Sequence, residues 1–218
     1  MLVTLDMVSK GRAGAALPPL SARYRTGSAT LVAAETERRP AVLALIASGR
    51  MRPDAGVVRV DGAVDDGLLR RRVAVIDAPA VNDPVGEVTL SAVVAEELMF
   101  AGRPSHPLAT SRMLATLEAG EWGRQAIADV PPRMRIHVLT ELAVLRAGVQ
   151  GLVLTAPDRH GGDPQDWWRI AQGLAGRGLA VLVVCGTAAK GVIDAAEAAQ
   201  ELAAAGDFED SARDGALS

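Results

Sequence analysis

The chain has 218 residues, 49% of them hydrophobic and 22% charged, the composition of a folded globular protein rather than a disordered one. Its 23 basic and 26 acidic residues leave a formal charge of −3, so no basic excess marks a nucleic-acid footprint and no nucleic-acid partner is expected. Cys185 is the single cysteine, which excludes an intramolecular disulfide and a cysteine metal cluster, and Lys10 and Lys190 are the only lysines, so any chemistry that needs a lysine must use one of those two.

Leu2 to Val8 alternates and reads as a strand, and Ala29 to Ala33 as a second short apolar run. Pro40 to Ser48 reads as a helix with proline in its first turn. Pro53 to Gly56 is a turn leading to a strand at Val57 to Val60. Arg70, Arg71 and Arg72 precede another strand, Val73 to Ile76. Two helices follow, Val88 to Phe100 with an apolar face of Leu90, Val93, Val94 and Leu98, and Ser111 to Glu118. Met134 to Arg146 is a helix and Gly151 to Thr155 a buried strand. Asp163 reads as the N-cap of a helix that starts at Pro164 and ends near Gly176. Leu179 to Cys185 is apolar throughout, as in a parallel sheet covered on both faces, and Val192 to Ala205 is a helix. The longest such apolar stretches are far below the roughly 18 residues of a membrane helix. Met1 to Lys10 alternates and lacks a signal core, so a cytoplasmic location is expected. Strands alternating with helices argue for an α/β fold with a mainly parallel sheet.

The order of these segments resembles the ATP-binding subunit of ABC transporters. Leu45-Ile46-Ala47-Ser48-Gly49, Arg52 to Gly56 and Val60-Asp61-Gly62 resemble the stretch after the phosphate loop of that family. Arg71 to Ile76 resembles the strand before the glutamine loop, and Leu152 to Pro157 the Walker B strand. Gly161 to Pro164 resembles the D-loop, and Leu182-Val183-Val184 the strand before the switch histidine. The resemblance implies a P-loop-NTPase-like core with a mainly parallel sheet, an N-terminal antiparallel β lobe, and an inserted helical lobe over about residues 88–135. Residues 1–205 would form this single domain and 206–218 a flexible tail. The family also implies short strands after Gly186, where the sequence reads as helix.

The family's chemistry does not carry over. A phosphate loop needs glycines that let backbone N–H groups wrap phosphate, a lysine, and a hydroxyl on Mg²⁺. The aligned stretch Ala34 to Ala41 has no glycine, and Pro40 stands at the lysine position and Ala41 at the hydroxyl position. Glu35 and Glu37 place negative charge where phosphate would lie, leaving Arg38 and Arg39 as the available cations. Thr155 and Ala156 replace the Walker B carboxylates, about Ala78 the glutamine, Pro131 to Arg135 the signature, and Gly186 the switch histidine. Each such group ordinarily supplies several kcal/mol of transition-state stabilisation.

The expectation is therefore a catalytically degenerate subunit, with no catalytic residue and no required cofactor. Arg38, Arg39, Pro40 and Ala41 would be a vestigial phosphate loop, and Thr155 and Ala156 a vestigial Walker B. The resemblance implies partners, a membrane transport protein, a second ATPase subunit, or both, in a dimer, with the partner holding the chain at the inner face of the cell membrane. Asp163, in the D-loop, and Trp167, one of two adjacent tryptophans, are the interface candidates. Two alternatives stay open: a sensor that binds ATP with Mg²⁺, or another anion, without turnover, and a metal-dependent enzyme using Asp158, His160 and Asp163.

Overall fold

A computed structural model describes the backbone of residues 1–35 and 38–214, and side-chain surroundings through Leu202. The chain folds as an α/β protein with two sheets. β1 (Leu2–Lys10), β2 (Leu17–Arg25) and β4 (Ala55–Val60) form an antiparallel sheet in the order β2-β1-β4. β3 (Ser28–Ala33), β5 (Val73–Ile76), β6 (Gly151–Thr155) and β7 (Ala180–Cys185) form a parallel sheet in the order β3-β7-β6-β5. The helices are α1 (Arg39–Ala47), α2 (Asp66–Arg72), α3 (Leu90–Phe100), α4 (Pro107–Thr116), α5 (Pro132–Val144), α6 (Pro164–Gly176) and α7 (Thr187–Asp214).

β6 and β7 are buried at every residue, which is why they read as unbroken apolar runs. Their side chains still alternate between two cores, as the period of two requires. Leu152 and Leu154, with Val181 and Val183, pack against α3, α5 and α6. Val153, with Leu182 and Val184, packs on the opposite face against α1 and the antiparallel lobe. The parallel sheet is thus the middle layer. The face predicted for α3 is the one it buries, Leu90, Val93, Val94 and Leu98.

Several elements differ from expectation. β2 contains Pro18 and Pro19, which hide a strand from pattern reading, but it lies at a sheet edge where a missing N–H is tolerated. Its Tyr24 is fully buried and donates from its hydroxyl to Ala47 O at 2.8 Å. α2 is a short helix set by Asp65, whose carboxylate accepts from Leu68 N–H, and by burial of Leu69 alone. α4 starts earlier than Ser111, because His106 Nδ1 accepts from Ala109 N–H and Pro107 suits the first turn. The helix expected at Val192 begins at Thr187 and is continuous to Asp214; no strand follows Gly186 among the described residues.

The interface candidate Trp167 is buried, and so is its neighbour Trp168. Trp167 is 1% exposed and Trp168 8%. α6 is sandwiched between the parallel sheet and α7, so neighbouring positions on it both find cover. Trp168 Nε1 donates to Glu197 Oε1 of α7 at 2.7 Å, whereas Trp167 Nε1 is buried with no partner among the described residues.

β1 is bulged between Asp6 and Ser9 opposite β4, and Met7 adopts a positive φ of 46°. The bulge lays its carbonyls over Gly56, where an added Cβ would sit 2.3 Å from Met7 O and 2.4 Å from Asp6 O. Gly56 also has φ +78°, a conformation that glycine alone adopts without strain. We expect Gly56→Ala to lower stability by at least about 2 kcal/mol, read as a fall in the urea midpoint. An unchanged midpoint would contradict this close approach.

Candidate functional site

In a parallel sheet with helices on its faces, ligands meet the carboxyl ends of the strands. Here the ends of β3, β5, β6 and β7 deliver Glu35, Asp77, Thr155 with Asp158, and Gly186. Most of these groups are satisfied within the chain.

Asp77 follows the last residue of β5 in a left-handed conformation, φ 55°, with a fully buried side chain. Arg135, in the first turn of α5, forks onto it: Nε donates to Oδ2 at 3.1 Å and Nη2 to Oδ1 at 2.8 Å. Arg135 is itself 4% exposed. From the 3₁₀ turn Pro157–His160, Arg159 Nη2 donates to Oδ1 at 3.0 Å and His160 Nε2 lies 2.7 Å from Oδ2. Burial alone would raise the Asp77 pKa. The hydrogen bonds from His160 and Arg135, with the charges of Arg135 and Arg159, outweigh it and hold this carboxyl well below the usual carboxylate range.

Asp77 was not singled out in the sequence, where it reads only as the polar end of an apolar strand. Its neighbour Ala78, at the glutamine position, is fully buried, and its N–H donates to Asn82 Oδ1 at 2.9 Å. Asn82 Nδ2 in turn donates to Val75 O at 2.7 Å, closing the turn. The stretch at the signature position, Pro131 to Arg135, opens α5 and contributes Arg135 to the buried pair.

Of the phosphate-loop stretch, the described residues bring Glu35 to the start of α7. Glu35 Oε1 accepts from Thr187 N–H at 2.7 Å, at the start of α7. Asp158 Oδ2 accepts from the adjacent Gly186 N–H at 3.0 Å. Two carboxylates therefore cover the N-terminus of α7, where the helix dipole favours negative charge. A Cβ added at Gly186 would lie 2.8 Å from Asp158 Oδ2, so the switch position cannot carry a side chain without moving Asp158. Pro40 and Ala41 are buried in the first turn of α1, Arg38 is exposed, and Arg39 is half-buried, its Nε lacking a partner among the described residues. Thr36 and Glu37 lie outside the described residues.

Thr155 is fully buried, and its Oγ1, like Asp158 Oδ1, has no partner among the described residues. Ala156 turns left-handed, φ 46° and ψ 53°, and donates to Val184 O at 2.7 Å. Burial, reinforced by the Asp158 charge, pushes the Cys185 thiol up to about 12.

The three residues of the metal reading do not converge, and among the described residues no group of three acidic, histidine or cysteine side chains is placed to hold a metal ion. Asp158 faces Gly186, His160 faces Asp77, and Asp163 caps α6, accepting from Gln165 N–H at 2.9 Å. Asp163 stays exposed.

A groove of about 640 Å³ opens between α3 and the turn that follows β5. Val81, Val85 and Phe100 give it an exposed apolar wall, with Arg50 and Arg146 among its lining residues. Arg146 donates to Glu97 Oε2 at 2.6 Å and stands over the Phe100 ring, 5.6 Å from its centroid.

Removing the charge of Asp77 leaves Arg135 buried without its counter-ion. We expect Asp77→Asn to destabilise the chain by about 3–5 kcal/mol in urea unfolding at neutral pH. The low native pKa makes the stabilisation by Asp77 complete above the unfolded carboxylate value, near pH ~4, and progressively lost as pH falls toward the native value. The wild-type urea midpoint should therefore fall faster than that of Asp77→Asn between about pH 4 and pH 2; parallel curves would show that Asp77 carries no such coupling.

No protein-family model matches the chain, and no curated protein matches it in sequence. Solved structures do. An ATP-binding subunit of an ABC transporter aligns over 86% of this chain and 80% of its own, with TM-score 0.55 at 16% identity. A nucleotide-free ATP-binding cassette from an ABC transporter aligns over 85% and 81%, with TM-score 0.59 at 16% identity. A putative ABC transporter ATP-binding protein from Pyrococcus furiosus aligns over 85% and 92%, with TM-score 0.59 at 10% identity. The chain has the fold of an ABC-transporter ATP-binding cassette.

Proposed function

We propose that this chain is a catalytically silent counterpart of an ABC ATP-binding subunit. It serves as a structural or regulatory partner of a competent ATPase subunit, of a membrane transport protein, or of both. The observation that carries this reading is the pair of carboxylates at the N-terminus of α7. Glu35 and Asp158 take the Thr187 and Gly186 N–H groups at the strand ends where a cassette would meet phosphate. These groups do not fit a magnesium triphosphate. Pro40 offers neither charge nor N–H, the two carboxylates would repel phosphate oxygens, and Thr155 and Ala156 bring no carboxylate to the metal.

The fold and what stays exposed support the partner roles. The groove beside α3, with Val81, Val85 and Phe100 open, is the surface proposed for a membrane protein. Asp163, exposed at the start of α6, is the contact proposed for a second subunit. No helix among the described residues is long and apolar enough to cross a membrane, so attachment to the inner face of a membrane would run through the partner.

Titration with labelled ATP, with and without Mg²⁺, tests the reading. We expect no saturable binding and no rise in melting temperature. Binding without turnover would instead identify a nucleotide sensor built on Arg38 and Arg39. An ATPase rate lost in the Arg38→Ala/Arg39→Ala variant would overturn the silent reading.

A further inference from the structure

The parallel sheet ends at β3. β3 pairs with β7 in unbroken register from Ser28 opposite Ala180 to Ala33 opposite Cys185, and no strand among the described residues pairs with its other side. An edge strand turns alternate N–H and C=O groups outward, and folded chains usually blunt such edges with proline, charge or a bulge. β3, Ser-Ala-Thr-Leu-Val-Ala, carries none of these. The contrast with the antiparallel sheet is internal to the molecule: its edge strand β2 carries Pro18, Pro19, Arg23 and Arg25.

Beside the β3 edge lies a hollow of about 390 Å³ lined by Leu2, Arg23, Arg25, Ser28 and Thr30. Both arginines are exposed. Among the described residues neither has a carboxylate within salt-bridge distance. Thr4 stands opposite Arg23 on β2 and opposite Arg59 on β4, so a third guanidinium extends the same face. Ser28 and Thr30 line the hollow, while Ala29 and Leu31 point to the other face and pack on the core that α6 covers.

We infer that β3 is a docking edge for an extended segment of a partner protein that carries acidic residues at alternate positions. Adding a strand pairs the outward backbone groups of β3, and every second side chain of the added strand then faces the hollow, where carboxylates meet Arg23 and Arg25. The other side chains extend the apolar face begun by Ala29 and Leu31. A second copy of this chain is a poor occupant. Pairing β3 with itself across a two-fold axis places the arginine-lined hollows of both copies on one face, bringing like charges together. The inference does not rest on the silent-cassette reading, since it concerns a sheet edge and not the strand ends.

The test uses an end-blocked, labelled eight-residue peptide of alternating valine and glutamate, and its valine–lysine counterpart. The full chain should bind the valine–glutamate peptide saturably and the lysine peptide far more weakly. Arg23→Glu/Arg25→Glu, a change of two exposed side chains whose folding is checked by its melting temperature, should weaken binding at least about tenfold. Amide hydrogen exchange should slow on binding within residues 28–33. Equal binding of the two peptides, no binding of the acidic one, unchanged affinity in the double variant, or protection elsewhere would overturn the inference. So would a concentration-dependent dimer that itself protects the β3 amides.

Discussion

Asp77 fixes the geometry of the strand ends. Its carboxylate is out of water, a position that is strongly unfavourable for a charge unless it is paired and hydrogen-bonded. The compensation comes from three side chains on two elements: Arg135 from α5, and Arg159 and His160 from the turn after β6. A forked guanidinium holds a carboxylate in one plane as well as at one distance, so the first turn of α5 is placed relative to the end of β5. The turn Pro157–His160 is placed by the same oxygen atoms. Three chain segments thus share one buried charge, and displacing any of them exposes the other two to its loss.

A second constraint lies a strand away and has the same character. The N–H groups of Gly186 and Thr187 are met by carboxylates from within the chain. α7 starts directly after β7 because these carboxylates satisfy donors that the first turn of a helix leaves unpaired. In a phosphate-binding cassette such strand ends point their donors and cations at a ligand. Here anionic side chains meet the donors, and Arg135 is paired with Asp77. Each arrangement satisfies part of the carboxyl end of the sheet from within the chain.

The buried parts of the fold were legible because burial writes itself into composition. β6 and the start of α6 fall where the sequence places them: an all-apolar run in one case, an aspartate cap followed by proline in the other. β2 was not legible, since Pro18 and Pro19 argue against a strand until its place at a sheet edge is known. α2 was missed because one buried leucine leaves no periodic signal. The replaced phosphate-loop and Walker positions could be read one by one, but their replacements could not. Asp77 lies 58 residues from Arg135 and 83 from His160, and nothing local links them. A lone aspartate after Val-Ala-Val-Ile was the available signal, a charge at the end of a strand that must be buried on both faces. Trp167 and Trp168 pose a related problem: helix spacing says that neighbours face apart, but not whether both sides are covered.

The Asp77 cluster also bears on how the groove beside α3 can behave. The turn that forms part of the groove wall begins immediately after Asp77 and is pinned back to β5 through Asn82. A partner that pushed this wall toward the strand ends would have to disturb the Asp77–Arg135 pair. Breaking a buried pair typically costs about 3–5 kcal/mol, while the coupling free energy between two binding sites is typically about 1–3 kcal/mol. The pair is therefore stiffer than an ordinary allosteric signal is strong. Strand ends held by this buried ion pair lie between the apolar groove next to β5 and the unpaired side of β3, at opposite ends of the sheet order.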